Sequence, residues 1–136
     1  MKHLVPIVLL ICLVGCTNSN PQGRISVSGE VTLNGQPLKD GNVEFASVEG
    51  SVPMMMTGAK ITDGKFTTTV VNGLIPGQTY TVKFSATEEV PGQFDTTPNG
   101  DKVPLKKDVI PLKWGSQSTE TITCEKGKPA TFDFNL

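Results

Sequence analysis

The sequence predicts an all-β fold, a seven-stranded antiparallel two-sheet sandwich. Two observations carry this: apolar and polar residues alternate in short runs from residue 25 onward, and turn signals separate those runs about every ten residues. Nothing beyond residue 20 keeps the i, i+3, i+4 apolar spacing of a helix.

The first run sets Ile25, Val27, Val31 and Leu33 against Ser26, Ser28, Glu30 and Thr32, and ends at Asn34-Gly35, a pair suited to positive φ. Val43 and Phe45 alternate with Asn42 and Glu44 in the second. Ala59 and Ile61 lead to the hairpin signal Asp63-Gly64, with Phe66, Thr68 and Val70 beyond it. Asn72-Gly73 and Pro76-Gly77 mark the next reversal. Tyr80, Val82, Phe84 and Ala86 form the clearest strand, facing away from Thr79, Thr81, Lys83 and Ser85. Ile122 and Cys124 share a face, Lys126-Gly127-Lys128 turns, and Phe132, Phe134 and Leu136 point inward at the end. Residues 87–117 break this regularity with Pro91, Pro98, Pro104 and Pro111, and read as a long irregular loop.

A chain of 136 residues whose first fifteen form a removable segment leaves one domain with a modest core. The net charge of -1 gives no clustered basic face, so nucleic acid is excluded as a partner. Without Lys2, 11 basic residues face 13 acidic ones. The single histidine, His3, lies in that first segment, and its loss removes the usual general base and the commonest metal ligand. The chain is therefore read as non-enzymatic and without a cofactor.

Met1-Lys2-His3 is a short basic start, and residues 4–14 are apolar. About eleven such residues are too few to span a bilayer but suit the apolar core of an export signal. Leu13-Val14-Gly15-Cys16 then resembles the lipobox of bacterial lipoproteins. The resemblance implies a signal peptide over 1–15, cleavage between Gly15 and Cys16, a diacylglyceryl thioether on Cys16 and acylation of the new amino terminus. Membrane lipid is then a partner, and the expected location is the cell envelope. Thr17, in place of the aspartate that often retains lipoproteins at the inner membrane, implies an outer membrane where one exists. Residues 16–24, polar and rich in small residues, read as the lipidated cysteine and a flexible tether, with the domain over 25–136.

VSGEVTLNGQPLKDGNVEF (27–45), ITDGKF (61–66) and GLIPGQTYTVKF (73–84) resemble the carboxypeptidase regulatory-like, or transthyretin-like, β-sandwich domain. DVIPLKWG (108–115) and EKGKPATFDFNL (125–136) are similar to small bacterial lipoproteins built from one such domain. The resemblance implies a fold and leaves the role open: structure or interaction with envelope proteins on one reading, surface glycan binding through Trp114 and the 87–117 loop on another.

Trp114 is the candidate ligand contact. Its ring can stack on a sugar or plug an open end of the sandwich, and the plug is favoured. Glu88, Glu89, Asp95, Asn99 and Asp101 offer oxygen ligands of the kind calcium takes, without a fixed loop spacing. Met54 and Met56 share one side of a strand and suit packing better than a soft metal. Cys124, on the inward face, reads as a buried hydrophobe.

Overall fold

The computed structural model describes Asn20 and residues 22–136. Residues 1–15, expected from the sequence to be an export signal, and Cys16 lie outside the described residues. Ten strands follow in chain order: β1 (Ser28–Leu33), β2 (Gln36–Pro37), β3 (Asp40–Ser47), β4 (Met56–Thr62), β5 (Lys65–Thr67), β6 (Thr79–Ser85), β7 (Thr87–Thr96), β8 (Lys102–Asp108), β9 (Thr121–Thr123) and β10 (Phe134–Asn135).

Seven strands form one curled sheet in the order β10-β1-β5-β4-β3-β6-β9, with β2 paired to β1, while β7 and β8 form a separate two-stranded ribbon. Where two sheets are expected from the sequence, the hydrogen bonds run through one sheet. Alternation supplies its buried side. Val43 stands opposite Phe84 and Phe45 opposite Val82, while Gly41 faces Ile61 and Ile61 faces Phe66. Val43, Phe45, Ile61, Val82 and Tyr80 are almost wholly buried, with Val27, Val31, Leu74 and Cys124 beside them.

The C-terminal strand departs from the antiparallel expectation. β10 runs parallel to β1, with Val31 opposite Phe134. The reason is the curl. β9 pairs with β6 at one edge of the sheet, and the chain then turns through residues 124–130 to the other edge, where Ser28 N–H donates to the Ala130 carbonyl. A strand entering beside the start of β1 can only run alongside it in the same direction. The edges meet through side chains: Phe134 lies 5.0 Å from Phe84, ring centre to ring centre.

The backbone approaches itself closely at Gly29. A Cβ there would lie 1.7 Å from the Phe132 carbonyl oxygen and 2.9 Å from the Phe66 ring. Gly29 thus lets the C-terminal segment pack against β1.

The stretch read as a loop, 87–117, is also corrected. β7 and β8 fill most of it, and a run of turns over 112–117 completes it. The ribbon is solvated on both faces, so its strands carry no apolar alternation, and Pro91 and Pro104 interrupt the pattern further.

Candidate functional site

Strand directions give the domain two poles. β1 begins at one pole, where β3 and β5 end and β4 and β6 begin; the ribbon and the Asn34-Gly35 turn lie at the other. At roughly 3.3 Å per residue, Ile25 and Leu33 are about 26 Å apart along the strand direction.

At the first pole the Tyr80 hydroxyl ties two loops together. It accepts the Ile75 backbone N–H at 2.9 Å, and lies 3.2 Å from Gln78 Oε1 and 3.6 Å from Met55 Sδ. Burial pushes its pKa up, only partly offset by the Ile75 hydrogen bond. The chain also enters here. The Asn20 side chain pairs with the backbone of Arg24 in both directions, and the Arg24 guanidinium donates to the Val71 carbonyl at 2.8 Å. The latter part of the stretch read as a tether is therefore tied to the domain.

Trp114 sits at the seam between the sheet edges. Its ring is edge-on to Phe84 at 5.8 Å and Phe134 at 6.0 Å, with the Lys113 ammonium 5.6 Å from its centre. Its backbone carbonyl accepts the Phe84 N–H, so this turn extends the β6 edge. The indole N–H is buried without a partner among the described residues.

The oxygen-bearing candidates are spread along the ribbon. Glu88 and Glu89 stand opposite Lys107 and Lys106 at its base, Asp95 lies beyond a bulge opposite Val103, and Asn99 and Asp101 belong to the far turn. Among the described residues, no three His, Cys, Asp or Glu side chains come together as a metal site.

Met54 and Met56 are corrected from packed to exposed. Met55 is the one turned toward Tyr80. Cys124 is wholly buried, and burial raises its thiol pKa.

A shallow groove of about 700 Å³ crosses the solvent face of β3, β4 and β6, and the sequence reading does not find it. Glu44 and Lys83 line its floor with Gly58 between Met56 and Lys60, and Asp108 and Ser116 close one side. The available signal was Gly58 within a strand, which marks a gap in the side-chain layer. Its charges are solvated; Lys60, for instance, pairs with Asp40 at 3.2 Å with both side chains largely exposed.

No family model matches the chain, and no curated protein does. Among solved structures it is similar to a 9R-lipoxygenase from Cyanothece PCC8801, at 11% identity and a TM-score of 0.38, over 87% of this chain. The match spans 17% of the lipoxygenase, and a likeness of that degree carries no argument about function.

Proposed function

We propose that the chain is a cell-envelope lipoprotein, held to a membrane by acyl chains on Cys16, whose β domain serves a structural or protein-interaction role without catalysis. The observation that carries this reading is the order of parts in the sequence: a basic start, a short apolar run, Leu13-Val14-Gly15-Cys16, a short polar stretch, and then a β domain. Two or more acyl chains give stable anchoring, each buried methylene contributing about 0.8 kcal/mol.

The non-catalytic part rests on how the domain uses its reactive groups. The Cys124 thiol is buried with its pKa raised, which opposes thiolate formation. The Tyr80 hydroxyl is engaged in holding loops together. Trp114 packs against Phe84 and Phe134, which supports the plug over the sugar platform. The transthyretin-like resemblance of residues 27–45, 61–66 and 73–84 adds that such domains serve as accessory modules.

Membrane fractionation of cells expressing the full chain or Cys16→Ser tests the proposal. The wild type is expected in the membrane fraction and the variant outside it. Equal membrane association of both would overturn the reading.

A further inference from the structure

We infer that the pole at which the chain enters the domain is a lipid-contact surface that rests on the bilayer, leaving the ribbon pole directed away from it. The inference rests on the lipoprotein reading and names the surface through which that protein meets its membrane.

Reach is the first argument. Cys16 precedes Asn20 by four residues, so an extended backbone places it within about 14 Å of Asn20. Asn20 is bonded to Arg24, and Arg24 to the Val71 carbonyl. Acyl chains on Cys16 therefore hold this pole near the lipid surface, at a high effective concentration.

Composition is the second. Eight large apolar side chains are exposed among the described residues, and five of them, Val52, Met54, Met56, Val70 and Val71, belong to the loops and strand start of this pole. Val52 is 87% exposed and Val71 65%. The two loops are held side by side. Thr57 Oγ1 donates to the Asn72 carbonyl, the Gln78 amide donates to the Val52 carbonyl, and the Tyr80 hydroxyl lies between Ile75 and Met55. Exposed valine and methionine concentrated at one end are unusual on a free surface.

Charge is the third. Residues 66–82 contain no charged side chain, and the loop joining β3 to β4 holds only Glu49. The remaining charges at this pole are Arg24, Glu125, Lys126 and Lys128, of which Glu125 and Lys128 pair with each other. The Arg24 guanidinium meets only neutral oxygens among the described residues, those of Gln22 and Val71. It is thus placed for the phosphates of an anionic headgroup layer. The ribbon, by contrast, carries Glu88, Glu89, Asp95, Asp101, Lys102, Lys106, Lys107 and Asp108. A surface poor in charge around the lipid attachment and rich in charge opposite it fits a domain seated on a bilayer by its entry pole.

The test uses the full chain, processed in bacteria and reconstituted into phosphatidylethanolamine–phosphatidylglycerol vesicles. A polarity-sensitive fluorophore is attached at Val71→Cys or, for comparison, at Phe94→Cys on the ribbon. Buried Cys124 stays unlabelled. Melting temperatures check that both variants fold. Vesicles carrying nitroxide lipids are expected to quench the label at 71 several-fold more than the label at 94. Equal, weak quenching in protein that floats with vesicles and carries acyl mass would overturn the lipid-contact surface while leaving the anchor standing. Protein without acyl mass that does not float would overturn both.

Discussion

The Ile75 backbone N–H donates to the Tyr80 hydroxyl at 2.9 Å, and this bond lies where the 48–55 and 68–78 loops meet. Tyr80→Phe removes the acceptor and leaves the N–H without its partner. The expected loss is about 1–3 kcal/mol in urea unfolding, with β-sheet circular dichroism retained. A variant as stable as the wild type would show that water serves Ile75 equally well.

Gly29 lies within β1 and Gly35 in the turn that follows it, and their substitutions should differ sharply. A Cβ at Gly29 would run into the Phe132 carbonyl, whereas one at Gly35 meets nothing within 4 Å. Gly29→Ala is expected to cost more than about 3 kcal/mol by displacing the C-terminal segment from β1. Gly35→Ala should cost only the strain of a positive φ of 78°, about 1–2 kcal/mol. Chemical denaturation of the two variants checks the order, and a reversed order would contradict the close approach.

The ribbon should be removable. Val109 N–H donates to the Ala86 carbonyl, closing its base, and no ladder joins β7 or β8 to the main sheet. Replacing residues 88–107 by a short Gly-Ser turn is expected to change stability by about 1 kcal/mol or less, a shift of at most about 4–8 °C in Tm. Failure of the shortened domain to fold would assign the ribbon a role in the core.

Alkaline pH should weaken the fold. Burial raises the pKa of Cys124 above its ordinary 9.0 and that of Tyr80 above its ordinary 10.0. Between ordinary and raised values the folded state holds a proton that the unfolded chain has lost, so the contribution of these two groups is constant below about pH 9 and falls above it. Each group contributes a slope of at most about 1.4 kcal/mol per pH unit. In Cys124→Ala the decline is expected to begin nearer pH 10, as measured by urea midpoints across the range. An unchanged onset would mean that the thiol does not titrate in this window.

The sheet was legible in the sequence wherever a strand has one buried side. Val43 and Phe45, Ile61 and Phe66, and Tyr80, Val82 and Phe84 announce their strands by period two, and the Asn34-Gly35 and Asp63-Gly64 turns were equally plain. The ribbon was not, because alternation requires a dry face and Glu88 through Thr96 have none. The direction of β10 was hidden too. Phe132, Phe134 and Leu136 look the same in a parallel or antiparallel strand, and the direction follows from the curl that brings Phe134 to Phe84. The entry pole was missed for a related reason: Met54 and Val70 read as packed residues until their exposure is seen, and no pattern singles out Val52 or Val71.

The central claim is that Cys16 anchors the protein by acylation, and mass spectrometry of the N-terminal peptide from membrane-extracted full chain tests it most directly. The account predicts a peptide beginning at Cys16 whose mass includes a diacylglyceryl group and an amide-linked acyl chain. A peptide that retains residues before Cys16, or begins there without lipid mass, would contradict it.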